Sequence, residues 1–147
     1  MGVIQWGRIP IANPNFQARQ LDTQRDIRLD AHSGLKILGD KDALKQVLLI
    51  ALDNALKHSA RDIKVSAERK GSSLKIRVQD FGEGISPEKL ERIFDRFYRG
   101  DDASTIQGFG LGLPIAKALV EAQGGEITMQ SGMGQASTLI LYFLLIP

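Results

Sequence analysis

Apolar and polar positions show no regular alternation before residue 26, and several distinct periods after it. Residues 1–24 contain Pro10, Pro14 and scattered Asn and Gln. They read as a lead-in segment, with Trp6, Ile9, Ile11 and Phe16 as its candidate docking residues. Ile27, Leu29 and Ala31 then alternate with Asp26, Arg28 and Asp30, the period-two signature of a half-buried strand. Residues 35–38 form a second short extended piece. Asp40 stands where a helix cap belongs. Leu44, Val47, Leu48, Ala51, Leu52 and Ala55 recur at i, i+3, i+4, i+7, which predicts an amphipathic helix running to about His58. Ile63, Val65 and Ala67, a turn at 70–73, and Leu74, Ile76 and Val78 make a hairpin. Ser86-Pro87 opens a short helix ending near Phe94, with serine as cap and proline in the first turn. Residues 98–110 carry no period. A helix from about Leu111 holds Ile115, Ala116, Leu119, Val120 and Gln123 and is stopped by Gly124-Gly125. Strands over 126–131 and 136–146 flank a turn at 132–135. The expected class is α+β, with about five strands and three helices.

Composition narrows the classes of function. The 147 residues fit one domain, and 43% apolar with 24% charged is the balance of a globular chain. At this size roughly two thirds of the unfolded surface is buried on folding, enough for a core without staples. The chain has no cysteine, so disulfides, thiolate metal sites and cysteine nucleophiles are excluded together, and two histidines make a multi-histidine metal site improbable. The longest apolar run, 139–146, is far too short to span a bilayer. Basic and acidic residues, 19 and 17, are interspersed to a net charge of +2. There is no basic arm or groove-reading motif, so nucleic acid is not an expected partner. The first residues lack the charged start and apolar run of a signal peptide, which favours a cytosolic setting.

Four segments carry candidate chemistry, and each has a bland reading beside the functional one. Asp80 follows Leu74, Ile76 and Val78 in the inward register of one strand, so its carboxylate is partly desolvated and needs a donor. Gly82 and Gly84 in D-F-G-E-G let the backbone turn beside it and approach a flat ligand. A base with an exocyclic amine suits such a floor; a strand-end turn cap is the bland alternative. Ile50, Asn54, Lys57 and His58 lie along one edge of the long helix. An amide oxygen and an ammonium there suit a magnesium ion carrying phosphates, or are simply a solvated helix edge. G-F-G-L-G-L at 108–113 precedes a helix, placing backbone N–H groups at its positive end. It matches neither the P-loop nor the dinucleotide fingerprint, and by itself equally describes a flexible turn. F-D-R-F-Y-R-G-D at 94–101 offers Phe94, Phe97 and Tyr98 as an anchor and Arg96 and Arg99 for phosphate, or else an ordinary aromatic helix end.

Taken in order, these segments describe one nucleotide pocket. The sequence resembles the catalytic, ATP-binding domain of bacterial two-component sensor histidine kinases, a group related to DNA gyrase, the Hsp90 chaperone and the MutL mismatch-repair protein. The resemblance covers residues 25–147 and rests on LLIALDNALKHS, DFGEG, FDRFYRGD and GFGLGLPIAK. It implies a two-layer α/β sandwich (the Bergerat fold) with a mixed sheet of about five strands on three helices. It implies that Asn54 ligates Mg²⁺ and that Lys57 contacts phosphate, with His58 nearby. Asp80 would accept from the adenine amino group, and Gly82, Gly84 and Ile85 would shape the adenine slot. Phe94 and Phe97 would anchor a mobile lid, and Tyr98 and Arg99 would lie toward the nucleotide. Gly108, Gly110, Leu111, Gly112 and Leu113 would form a hinge and cradle for the triphosphate. The expected catalytic set is Asn54, Lys57 and Arg99, with ATP and Mg²⁺ as cofactors.

Two departures qualify the resemblance. The family often has asparagine four residues before Asn54, where this chain has Ile50. Isoleucine cannot activate water, which fits transfer to a protein rather than hydrolysis. The phosphoacceptor histidine of the family lies in an upstream helical hairpin, typically H-E-x-x-x-P, and neither His32 nor His58 stands in that context. The expectation is therefore an excised or truncated, monomeric catalytic domain that binds ATP with magnesium but does not phosphorylate itself. Its partners would be the dimerisation and histidine-phosphotransfer domain of its parent, then a response-regulator receiver domain. The resemblance places such a domain in the cytoplasm, most such parents being membrane sensors. An anti-sigma-type serine kinase and a non-transferring nucleotide sensor are the alternatives.

Overall fold

The computed structural model describes residues 2–6, 27–30, 35–58, 62–95, 112–132, 134 and 136–146, excepting the side chains of 27–30 and of His58. The long amphipathic helix, α1 (Lys41–His58), organises the core. Asp40 caps it: one carboxylate oxygen accepts from the backbone N–H of Asp42 at 3.0 Å and of Ala43 at 3.2 Å. All six residues of the expected stripe are buried, from Leu44 to Ala55, with Leu56 added. They pack on β4 (Ile63–Lys70) and β5 (Ser73–Asp80), the hairpin joined through Gly71 in the left-handed region.

Those two strands sit inside a five-stranded mixed sheet in which β2 (Ile27–Asp30) lies at one edge, parallel to β4, and β7 (Ser137–Leu144) and then β6 (Glu126–Gln130) follow β5. The remaining pairs, to β7 and between it and β6, are antiparallel. Alternation sends Val65, Ile76, Val78, Leu139 and Leu141 inward beneath α1 and α3 (Gly112–Ala122). The short α2 (Pro87–Arg92), capped by the Ser86 hydroxyl, stands at the periphery with no fully buried residue. This is the expected two-layer α+β sandwich. On the outer face, the Lys75 ammonium lies 5.7 Å from the Tyr142 ring centroid, and Arg77 pairs with Glu68 at 3.2 Å.

A second, smaller sheet contains the extended piece expected at 35–38, paired with a strand the sequence pattern does not show. β1 (Gly2–Gln5) pairs antiparallel with β3 (Lys36–Gly39), and the Trp6 N–H donates to the Leu35 carbonyl at 2.8 Å. Ile4 and Trp6 thereby join the core, Trp6 at 1% exposure. Among the candidate docking residues of the lead-in, Trp6 is buried, while Ile9, Ile11 and Phe16 lie outside the described residues.

The far end of α3 is closed by Gly124 at φ 77°, with the Gly125 N–H donating to the Val120 carbonyl at 3.0 Å. Gln123 joins this end to the start of α1. Its carbonyl accepts from the Asp40 N–H at 2.8 Å, while its amide donates to the Leu119 carbonyl at 3.1 Å. Gly125 tolerates no side chain: a Cβ there would lie 2.6 Å from the Tyr142 carbonyl oxygen and 3.0 Å from two Phe143 ring carbons. Gly125→Ala is expected to destabilise the domain by about 1–3 kcal/mol, read from the denaturant midpoint at constant slope. Gly2→Ala, whose Cβ would meet nothing within 4 Å, serves as the neutral control.

Candidate functional site

The inward register of β5 ends on Asp80, which is 4% exposed. Its backbone neighbours across the sheet are Ile63 on β4 and Ser137 on β7, so a carboxylate is held at the inner rim between an apolar residue and a hydroxyl. One oxygen accepts from the Gly82 N–H at 3.0 Å. A turn-closing contact of this kind is the bland role expected for Asp80, and the structure contains it. Burial of the carboxylate among inward apolar residues is more than a turn cap requires.

The loop beyond Asp80 is fastened to the β6–β7 connection. Gly84 adopts φ 87°, which reverses the chain toward the buried Ile85. The Ile85 N–H donates to the Ser131 hydroxyl at 2.8 Å, and that hydroxyl lies 2.7 Å from the Ser137 hydroxyl. The Gly134 N–H donates to the Glu83 carbonyl at 2.7 Å. Asp80, Gly82, Gly84 and Ile85 therefore sit in one braced loop. Ser131 and Ser137 belong to the same unit, and the sequence reading passed over both. The signal was present for Ser137: it occupies the inward register shared by Leu139, Leu141 and Phe143, the logic that singled out Asp80.

On α1, Asn54 is half-buried at the edge of the apolar stripe and Ile50 stands one turn before it, packed against the core. Lys57 pairs with Asp53 at 2.8 Å, both side chains close to half exposed. A helical pair so solvated is worth a few tenths of a kcal/mol, roughly, and would yield to a stronger anion. His58 is the last residue of the helix.

α3 begins at Gly112, with Leu113 buried directly behind it. A Cβ at Gly112 would meet Ile50 Cγ2 at an ordinary 3.4 Å and, among the described residues, nothing closer. The fold thus has room for a side chain at this first position of the helix. A bare helix start, with its outward N–H groups, suits close approach by an anion. Phe94, half-buried against the core, lies 5.7 Å from the Lys117 ammonium at its ring centroid, which joins the end of α2 to α3. Phe97, Tyr98, Arg99, Gly108, Gly110 and Leu111 lie outside the described residues.

This donor set fits a nucleotide and a magnesium ion. Among the described residues no cluster of three or more His, Asp or Glu could hold a metal by itself. Magnesium bound through one protein oxygen and substrate phosphates needs no such cluster, and the Asn54 amide is a hard oxygen ligand of that kind. Likewise, no helix among the described residues is long and apolar enough to cross a membrane.

The rim carboxylate, the braced glycine loop, the Asn54 edge of α1 and the glycine start of α3 belong to one two-layer α/β sandwich. Comparison with known proteins shows its family. Residues 39–146 match the family described as histidine kinase-, DNA gyrase B-, and HSP90-like ATPase. The sensor histidine kinase YkoH of Bacillus subtilis is 37% identical over 138 residues, covering 92% of this chain and 30% of that protein. The sensor-like histidine kinase SenX3 of Mycobacterium tuberculosis is 40% identical over 120 residues, covering 79% of this chain and 29% of that one. The mycobacterial sensor histidine kinase MprB shares the fold, with a TM-score of 0.84 over 99% of both chains at 22% identity. The chain belongs to this ATPase family and is an ATP-binding domain of it. It spans about 30% of the length of these two relatives, YkoH and SenX3.

Proposed function

We propose that this domain binds ATP with magnesium and donates the γ-phosphoryl group to a histidine on a separate helical domain, from which a response-regulator aspartate receives it. The observation that carries this reading is Asp80, a 4%-exposed carboxylate at the inner sheet rim beside Gly82, Gly84 and the Ser137 hydroxyl. Asp80 accepts from the adenine amino group, and the braced 80–85 loop forms the wall against which the base lies flat. Asn54 supplies the protein oxygen for magnesium, whose chemistry when bound is to neutralise phosphate charge. Lys57 leaves Asp53 for the phosphates, and the N–H groups at Gly112 and Leu113 face them. Outside the described residues, Phe97 would join Phe94 in anchoring a lid, Tyr98 and Arg99 would contact the nucleotide, and Gly108, Gly110 and Leu111 its phosphates. In the transfer, the bond from the β,γ-bridging oxygen to the γ-phosphorus breaks as an imidazole nitrogen bonds to that phosphorus, and ADP leaves. Such a reaction is governed by positioning and electrostatics, so this domain needs no nucleophile of its own.

The chain, γ-labelled ATP, magnesium and an isolated histidine hairpin from one of the relatives provide the test. Acid-labile label on the hairpin is the expected result. Acid-stable label on a serine-bearing antagonist protein instead would favour the anti-sigma-type kinase. ATP binding with no transfer to either acceptor would leave a nucleotide sensor.

A further inference from the structure

The apolar residue at position 50 has a use that its chemistry alone does not suggest. Ile50 lies one helical turn before Asn54, half-buried on the α1 edge that faces the start of α3. Its Cγ2 would stand 3.4 Å from a Cβ at Gly112, an ordinary contact distance, so the branched side chain packs at the join between α1 and the start of α3. At the opposite end the same helices are fixed by Gln123, which grips the Asp40 N–H at 2.8 Å. With that end tied, the size of residue 50 governs how far the start of α3 stands from Asn54.

We infer that Ile50 is a positioning residue that sets the spacing between the Asn54 amide and the N-terminal turn of α3, and so favours nucleotides carrying a full triphosphate. This rests on the nucleotide reading above. The adenine contact is made at the end of β5, and residue 50 does not touch it. A monophosphate therefore depends on the Asp80 end alone, whereas a triphosphate depends on both ends and on the distance between the two helices. Close-packed interiors respond to the loss of even single methyl groups. Displacement of a bound group by about 1 Å can cost two orders of magnitude in a positioned reaction.

The experiment measures affinity for ATP and for AMP, with magnesium, by NMR titration of the folded chain and of two variants. Ile50→Ala is expected to lower ATP affinity about tenfold and AMP affinity less than about twofold, reducing the ATP-to-AMP ratio at least fivefold. Ile50→Val removes one methyl and keeps the fold, and should lower that ratio about two- to threefold. A ratio unchanged in both variants, whether or not stability falls, overturns the positioning role and leaves Ile50 as packing. If wild-type protein that is folded by its amide spectrum binds neither nucleotide, the nucleotide reading itself fails, a result separable from the behaviour of the variants.

Discussion

Asp80→Asn should reduce ATP affinity on the order of 100-fold while the domain stays folded. The carboxylate presents two acceptors at a rim where it is 4% exposed, and one of them already takes the Gly82 N–H at 3.0 Å. An amide keeps an acceptor for Gly82 and so preserves the turn. Its other atom becomes an NH₂ group, which then faces the exocyclic amine of the base, donor against donor. Losing a charge-assisted hydrogen bond and leaving a donor unpaired in a dry site costs about 2–3 kcal/mol, or roughly two orders of magnitude in the dissociation constant. Asp80→Ala should lose as much affinity and also stability, because the Gly82 N–H loses its acceptor. Calorimetric titration with ATP and magnesium, beside thermal melts of both variants, separates the two effects. Wild-type affinity in the asparagine variant would remove Asp80 from adenine recognition.

The sequence disclosed those parts of the fold and site that rest on local periods, and withheld those that rest on pairing at a distance. The stripe on α1, the Asp40 and Ser86 caps and the inward register of Asp80 follow from i, i+4 and i, i+2 spacing. β1 shows no period because it is four residues long and buries only Ile4; its partner β3 is more than thirty residues away in the chain. Ser137 was legible from its own strand's alternation, but Ser131 matters only because the hairpin turn folds back on the 80–85 loop, a contact no local pattern specifies. Asn54 and Lys57 illustrate a subtler limit. Spacing put both on one helix edge, but Lys57 has a local partner in Asp53, four residues earlier, that the motif conceals. The phosphate role assigned to this lysine therefore includes breaking a surface pair, a small cost that a polyanion readily exceeds.

That contrast between the two α1 residues sets the expectation for Asn54. Asn54→Ala should lower magnesium-dependent phosphoryl transfer to a supplied histidine hairpin by about 100-fold or more, while adenine binding survives. The residue is half-buried on a helix whose packing stripe it does not enter, so truncation removes the proposed oxygen ligand without opening the core. The proposed adenine contact lies at the end of β5, on a different element, and should be made by Asp80 whether or not magnesium is held. The diagnostic is consequently a difference between conditions. In wild-type protein, adding magnesium should tighten ATP binding; in Asn54→Ala that increment should vanish, and affinity measured in chelator should match wild type. Asn54→Asp provides the opposing case, since a carboxylate retains an oxygen for the metal but places a second anion beside Asp53 and the incoming phosphates. It should keep some magnesium dependence and lose ATP affinity at low ionic strength more than at high. Normal transfer by Asn54→Ala would show that the metal is held elsewhere. The helix edge would then be the solvated face that its spacing alone equally allows.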